Sequence, residues 1–250
     1  MKKKKIPRAI VLAAGMPRAG SGYYYNLLNQ LWIAAGGQDG HDIRKKYHLQ
    51  RILREVDVTI GTLSTKRTLA ALVPVALGNS YVVHLHFAPK PMGVFAIERG
   101  WVIPTYVYRD PRDALLSAYE YGRRVEKTGR ANAFTFLENI EQSIEFMAGY
   151  VKNDWQAWVN LPGTLILRYE DLLTDYESQV DRLASFLGLD LKDPKLQEVV
   201  YKSHPQRIVK KGMHYNKGVI GRFREGLSIE QQQRCAEAFG PYLQQMGYEP

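Results

Sequence analysis

The feature that most constrains the fold is a strand-like apolar run followed directly by a glycine-rich loop. Residues 9–14 are uniformly apolar, and Gly15, Gly20 and Gly22 lie in the stretch that follows. A helical pattern then extends over residues 20–34. A buried strand that leads through glycines into a helix is typical of α/β proteins, where such a loop binds an anion at the helix N-terminus.

Three further apolar runs predict buried strands, and each leads into a polar loop or a helix. The four predicted strands are residues 10–14, 81–85, 104–108 and 164–167. Helical patterns follow at 20–34, 111–128, 133–158 and 171–187, and a last helix opens at Ser228 and ends near Gly247. This alternation predicts one three-layer α/β domain over residues 1–250, with a central parallel sheet and ligands at the carboxyl ends of its strands.

Two segments do not fit the alternation. Residues 1–8 are basic, and we expect them to form a disordered N-terminal segment. Residues 201–227 lack periodicity and are rich in Pro, Gly, His, Lys and Arg, which predicts a long loop. Long loops in compact domains are often functional, so we expect this one to contribute to a binding site.

Charge and cysteine content bear on partners and location. Lysine plus arginine number 34 against 25 acidic residues, a net charge of +9 that favours an anionic partner. The chain has no recognised nucleic-acid motif and no apolar segment approaching the roughly 20 residues of a membrane span, so neither partner is predicted. Pro7 and Arg8 interrupt what would otherwise resemble a secretory signal. Together with the single Cys235, this predicts a soluble cytoplasmic protein.

Gly15 and Gly20 reproduce the first half of a phosphate-binding P-loop but not the second. A nucleoside triphosphatase continues with lysine and then serine or threonine, which holds magnesium, whereas this chain has Ser21 and Gly22. The loop is therefore predicted to bind an anion through backbone N–H groups without a metal, with Arg18 as its cation. This pattern favours the transfer of a singly charged sulfuryl group.

A second anion site is predicted where the third strand ends. Arg109 leaves the strand at its tip, and Ser117 lies about two turns into the next helix. That helix is marked by Asp110 as N-cap, Pro111 as first residue and Asp113 near the capping-box position. Arg109 and Ser117 are expected to bracket one small anion.

Four separated motifs resemble those of the sulfotransferases that use 3′-phosphoadenosine 5′-phosphosulfate (PAPS) as donor. Residues 17–22 resemble the family's 5′-phosphosulfate loop, and residues 109–117 resemble its 3′-phosphate motif. Residues 216–221 are similar to the C-terminal R-K-G-x-x-G loop, and residues 168–188 are similar to the Y-E-D-L and F-L-G segment. The resemblance implies a P-loop-like sulfotransferase fold, PAPS as co-substrate and no metal.

The resemblance also assigns donor contacts. It implies contacts to the nucleotide from Arg18, Ala19, Gly20, Ser21, Gly22, Tyr23, Arg109, Ser117, Tyr169, Lys217 and Gly218. Ala19 and Gly22 stand where the family has serine and threonine, so hydroxyl contacts to the 5′ group fall to Ser21. Tyr23 stands in place of a tryptophan, and Asn216 in place of an arginine, which leaves Lys217 and the Gly218 amide at the 3′-phosphate.

The catalytic group is predicted at the end of the second strand. His86 aligns with the histidine of the family's K-T-H-L-P segment, which implies a general base, with Arg18 stabilising the leaving oxygen. His84 occupies the lysine position of that segment, and contact with the acceptor, a share in the base role and simple packing all stay open. Glu98 and Asp110 are alternative bases. Tyr24 and Tyr121 are expected to line the acceptor pocket with His84.

The acceptor and two rival functions stay open. A hydroxyl of a small molecule is the first expectation, an amine is equally open as the acceptor atom, and a glycan is the alternative. A small-molecule kinase shares this architecture but needs the missing lysine and hydroxyl residue. A non-catalytic nucleic-acid binder is motivated by charge alone. The sequence does not fix the oligomeric state.

Overall fold

A computed structural model describes residues 6–207 and 218–249 of the chain. Its sheet contains the strands β1 (Ile10–Gly15), β2 (Tyr81–Leu85), β3 (Val102–Tyr108) and β4 (Leu165–Arg168). The spatial order is β2-β1-β3-β4, and each neighbouring pair is parallel. Every residue of β1 is buried, as expected for a strand covered by helices on both faces. The predicted α/β class and parallel sheet are confirmed.

Helices connect the strands and flank the sheet. Their bounds are α1 (Ser21–Ala34), α2 (Gly40–Lys46), α3 (Thr65–Ala76), α4 (Pro91–Glu98), α5 (Pro111–Glu126), α6 (Ile140–Tyr150), α7 (Gln156–Val159), α8 (Tyr169–Thr174), α9 (Tyr176–Leu187), α10 (Pro194–Lys202), α11 (Phe223–Gly226) and α12 (Ile229–Leu243). A 3₁₀ turn, Val56–Val58, follows α2, and a π-helical segment, Val151–Trp155, joins α6 to α7.

Several helix boundaries differ from the sequence-based predictions. Helices α2, α3, α4 and α10 lie where no helix was predicted. Helix α6 begins at Ile140 because the Asn139 side chain caps it, and not at residue 133. A break at Asp175 divides the predicted helix 171–187 into α8 and α9.

The two segments outside the alternation are only partly described. Residues 1–5 lie outside the described residues, so disorder of residues 1–8 stays a prediction, while Ile6 packs against the core. The predicted loop 201–227 includes the end of α10 and all of α11, and its residues 208–217 lie outside the described part. Within residues 6–207 and 218–249, no helix combines the length and apolar character that a membrane crossing requires.

The start of α5 is as predicted. The Asp110 carboxylate accepts a hydrogen bond from the Arg112 amide at 2.9 Å, and Pro111 is the first helical residue. The same carboxylate receives the Arg112 side chain in a buried ion pair. This cap fixes the direction in which α5 leaves β3, and so places Ser117 relative to Arg109.

Candidate active site

The carboxyl ends of β1, β2 and β3 open into a cavity of about 1260 Å³. Most of the residues predicted for the site line it: Arg18, Gly20, Ser21, Gly22, Tyr23, His84, His86, Arg109, Ser117, Tyr121 and Tyr169. They come from three strand ends and from α1, α5 and α8. The parallel sheet brings them together because the carboxyl ends of its strands lie at one edge.

Three other predicted residues, Tyr24, Ala19 and Gly218, do not line the cavity. Tyr24 is fully buried in the core, which corrects the expectation that it lines the acceptor pocket. Ala19 is also fully buried. Its amide donates to the Met16 carbonyl at 3.1 Å, which stabilises the turn of the glycine loop. Gly218 has a left-handed φ of 58° and is not part of the lining. Lys217 lies outside the described residues.

The glycine loop leaves the N-terminus of α1 available to an anion. Gly20 is the N-cap with φ 70°, and within the described part of the chain no side chain caps this helix. The first backbone N–H groups of α1 therefore face the loop without a side-chain partner. A Cβ at Gly20 would overlap the ring of Tyr169. Gly20 is needed for its positive φ and for this close approach.

Arg18 bridges the loop and α5. Its Nε donates to the Ser117 hydroxyl at 3.2 Å, and its guanidinium lies 4.4 Å from the centre of the Tyr121 ring. The pKa of Arg18 is lowered to about 10, mainly by burial; Tyr121 opposes this shift, and the charges of Arg124 and Arg109 contribute to it. The side chain is still cationic at neutral pH. Its own φ is 64°, a strained conformation for a residue with a side chain.

Arg109 is a buried cation, and one of its N–H groups has no hydrogen-bond partner among the described residues. Its Nη2 donates to Asp113 at 3.0 Å and to the Val219 carbonyl at 2.8 Å. Its Nε is buried and has no hydrogen-bond partner in the described ranges, the nearest carboxylate oxygen being that of Glu170 at 3.9 Å. The guanidinium lies 5.0 Å from the centre of the Tyr169 ring. A bound anion would satisfy the unused Nε donor.

The sequence placed Asp113 near the capping-box position of α5, but its side chain has other hydrogen-bond partners. It accepts hydrogen bonds from the Gly221 amide at 2.8 Å and the Phe223 amide at 3.0 Å, in addition to that from Arg109. The carboxylate is fully buried. Asp113 therefore ties the segment after residue 218 to α5 and to the Arg109 side chain.

The tautomer of His86 follows from its hydrogen bond. Nδ1 lies 2.8 Å from the Gly15 carbonyl oxygen, which can only accept, so Nδ1 carries the proton and Nε2 presents a lone pair. Burial lowers the pKa of His86; the bond to Gly15 opposes this shift, and the charge of Arg18 adds to it. The Tyr150 hydroxyl donates to the His86 carbonyl and holds the backbone in place. A neutral imidazole with a free Nε2 is suited to accept a proton.

The alternative bases lie elsewhere. Glu98 is exposed at the end of α4. Asp110 is buried but engaged by Arg112, and neither carboxylate belongs to the lining of the cavity. Among the described residues, no group of three or more His, Cys, Asp or Glu is arranged to hold a metal ion.

The chain matches a known family over nearly its whole length. Residues 11–247 match the model of the sulfotransferase domain family. The chain belongs to the sulfotransferase family. Among its curated relatives, the guinea pig (Cavia porcellus) 3-alpha-hydroxysteroid sulfotransferase is 28% identical over 200 residues, 68% of this chain and 64% of the relative. The rabbit (Oryctolagus cuniculus) amine sulfotransferase is 27% identical over 161 residues, 54% and 52% of the two chains. The matched region thus spans less than two thirds of each relative.

Solved structures share the fold of this sulfotransferase-family chain. Retinol dehydratase in complex with androsterone and the inactive cofactor PAP gives a TM-score of 0.60 at 19% identity, covering 96% of this chain and 82% of that one. Mouse sulfotransferase SULT7A1 complexed with PAP gives a TM-score of 0.59 at 15% identity, covering 93% and 82%. At these identities the likeness shows a common fold.

Three walls of the cavity of this sulfotransferase-family protein contain none of the site residues that were named from the sequence. They are the turn at Val56–Thr59, residues 132–134, and one face of α10 with Lys195, Glu198, Val199, Lys202 and Ser203. A sequence signal existed for α10, because Asp193 and Pro194 repeat the cap and first-residue pattern of Asp110 and Pro111. The turn and residues 132–134 carry no comparable signal.

Proposed function

We propose that this protein transfers the sulfuryl group of PAPS to a hydroxyl or amine of a small-molecule acceptor. The contact between Arg18 Nε and Ser117 Oγ at 3.2 Å carries the proposal, because it joins the glycine loop to the second anion site. One ligand with two anionic groups, such as a 3′,5′-bisphosphorylated nucleotide, would engage both. The PAP named in the complexes of retinol dehydratase and mouse SULT7A1 is a ligand of that kind and supports the proposal.

The residues that line the cavity fit such a donor at both ends. The uncapped amides of α1, the Ser21 hydroxyl and Arg18 would hold the 5′ group. The unused Nε of Arg109 and the Ser117 hydroxyl would hold the 3′-phosphate. Tyr23 and Tyr169, whose rings line the cavity, would contact the base and ribose. Lys217 and the Gly218 amide stay predicted partners of the 3′-phosphate.

The chemistry assigned to the chain's own residues is a proton transfer and a charge stabilisation. When bound, PAPS supplies a sulfur atom whose bond to the 5′-phosphate oxygen breaks as the bond to the acceptor oxygen or nitrogen forms. His86 Nε2 takes the proton of the acceptor group during this attack. Arg18 and the loop amides neutralise the charge that develops on the departing phosphate oxygen. No step requires a metal.

The acceptor and location belong to the same proposal. The names of the relatives cite hydroxysteroids, amines and a flavonol, which favours a small molecule over a glycan. We place the reaction in the cytoplasm because the single Cys235 is a buried free thiol. Burial raises the pKa of Cys235 to about 11, so it is a neutral core group and not a nucleophile.

A transfer assay tests this function. The protein is incubated with PAPS labelled in its sulfuryl group and with a panel of phenols, aliphatic alcohols and primary amines, in the presence of EDTA. We expect label to appear on an acceptor with release of one PAP per transfer, undiminished by EDTA. The proposal fails if label transfer requires magnesium, or if ATP with magnesium phosphorylates the panel while PAPS is not consumed.

A further inference from the structure

His84 has a buried ring nitrogen, Nε2, that has no role in the proposed sulfuryl transfer. The residue is 4% exposed and lies at the end of β2, two positions before His86 on the same face. It lines the cavity, and its ring centre lies 4.6 Å from that of His86. Its Nε2 is buried and has no hydrogen-bond partner within residues 6–207 and 218–249.

The hydrogen bonds of Thr59 show that this nitrogen is an acceptor. The Thr59 hydroxyl donates its only proton to the Val56 carbonyl at 2.8 Å. Its contact with His84 Nδ1 is longer, at 3.2 Å, and with the proton in the shorter contact the hydroxyl accepts from Nδ1. Nδ1 of His84 therefore carries the ring proton, and Nε2 presents a lone pair, as in His86.

The surrounding backbone holds His84 in this state. The Ile60 amide donates to the His84 carbonyl at 2.9 Å, so Thr59 is fixed in register beside the histidine. Asp57 and Val58, in the turn before it, have φ values of 53° and 46°, left-handed conformations that residues with side chains avoid. Strained turns of this kind occur mostly at binding and catalytic sites. The Asp57 carboxylate lines the cavity as well, 3.9 Å from His84 Nδ1.

This end of the cavity therefore offers two adjacent imidazole lone pairs. An acceptor molecule with a lone hydroxyl can satisfy His86 but leaves Nε2 of His84 unpaired. A molecule with a second O–H or N–H beside the reacting group satisfies both. Sites built to pair with a polar group discriminate strongly against analogues that lack it, because the buried partner is then left without a hydrogen bond.

We propose that His84 is a specificity-determining residue that selects acceptors with two neighbouring hydrogen-bond donors, namely vicinal diols, catechols, amino alcohols and primary amines. The inference rests on the proposed function and specifies its substrate class. His84 receives the second donor of the acceptor through Nε2, while His86 receives the proton of the reacting group.

The experiment compares probes that differ in the second donor. With PAPS, kcat and KM are measured for catechol, phenol and resorcinol, whose second hydroxyl lies one carbon further away, and for cis-1,2-cyclohexanediol and cyclohexanol. We expect wild-type kcat/KM to favour catechol and the diol by at least about tenfold, mainly through KM.

Two substitutions of His84 separate its nitrogens. An asparagine amide reaches the position of Nδ1, so His84→Asn keeps the Thr59 contact and removes the acceptor at Nε2. A glutamine amide reaches the position of Nε2 and can present its oxygen there. We expect His84→Asn to lose the preference for two-donor probes and His84→Gln to retain it. His48→Asn, at an exposed position that follows α2 and is not part of the cavity lining, is the matched control and should behave as wild type.

PAP titration of each variant checks the fold and separates the two proposals. Equal kcat/KM for the paired probes in wild type, or an undiminished preference in His84→Asn, overturns the role of His84. Failure to turn over every two-donor probe while PAP binds overturns the substrate class and leaves the donor intact. Failure of the wild-type protein to bind PAP overturns the proposed function itself.

Discussion

The Nδ1 atom of His86 lies 2.8 Å from the carbonyl oxygen of Gly15, the last residue of β1. Gly15, whose carbonyl oxygen fixes the tautomer of His86, is thus also the residue at which the glycine loop begins. The same loop positions Arg18, whose charge lowers the pKa of His86. The base, which follows β2, is therefore joined to the anion site at the carboxyl end of β1, and the proposed mechanism predicts how each responds when the other is altered.

The first prediction separates catalysis from donor binding at His86. His86→Asn keeps a donor for the Gly15 carbonyl but removes the lone pair at Nε2, so kcat should fall about 10²- to 10⁴-fold. PAP affinity, measured by calorimetry, should change by no more than about twofold, since the His86 ring is not among the proposed contacts to the nucleotide. Retention of full turnover by His86→Asn would remove His86 from the base role.

The second prediction concerns pH. Because burial and Arg18 lower the pKa of His86 below 6.5, the imidazole is neutral at pH 7 and becomes protonated only as the pH falls through that lowered value. The acid limb of kcat/KM should therefore have its midpoint below 6.5. Arg18→Gln removes a nearby positive charge and should raise the pKa of His86, measured by NMR titration of its ring. Arg234→Gln, exposed on α12, should leave it unchanged, and an unshifted titration in Arg18→Gln would contradict the coupling.

The third prediction uses two glycines with the same backbone conformation. Gly20 and Gly100 both have φ +70°, but a Cβ at Gly20 overlaps the Tyr169 ring, whereas a Cβ at Gly100 has nothing within 4 Å. Each change to alanine should cost about 1–2 kcal/mol of left-handed strain in thermal unfolding. Gly20→Ala alone should also weaken PAP binding, because the methyl group displaces Tyr169 from the loop. Equal PAP affinity in the two variants would show that this close approach is not needed.

The fourth prediction concerns the anchor of the C-terminal segment. Asp113→Asn replaces a carboxylate that accepts from Arg109, Gly221 and Phe223 by an amide with a single acceptor oxygen. Urea unfolding should show a loss of about 1–3 kcal/mol, and PAP should bind more weakly because Arg109 loses its support. Asp181→Asn, exposed on α9, is the control. Unchanged PAP affinity in a folded Asp113→Asn protein would separate the anchor from the donor site.

The sequence predicted the parts of the fold that depend on short apolar runs. The run at residues 81–85 matches β2 at both ends, and the run at 10–14 falls one residue short of β1, because Gly15 continues the ladder. The start of α5 was predictable because a cap and a proline mark it locally. Helix α3 was not predicted, and its sequence gives a mixed signal because Pro74, a residue that normally ends or kinks a helix, lies inside it.

The candidate site was predictable where residue types define the chemistry, and less so where packing does. Arg18, His86, Arg109 and Ser117 were named from motifs and line one cavity. The sequence indicated only a local role for Asp113, because two of its three partners, Gly221 and Phe223, lie more than a hundred residues away in the chain. The left-handed turn at Asp57 is a tertiary feature, since Asp tolerates a positive φ but Val58, which also has one, is a β-branched residue that avoids it.

The most direct test of the central claim is a calorimetric titration of the protein with PAP in metal-free buffer, set against ATP with and without magnesium. We predict tight binding of one PAP per chain without metal and at least about tenfold weaker binding to Arg109→Ala, with Arg234→Ala as the unaffected control. Preference for magnesium-ATP over PAP, or equal PAP affinity in Arg109→Ala and wild type, would contradict the assignment of the two anion sites to a 3′,5′-bisphosphorylated donor.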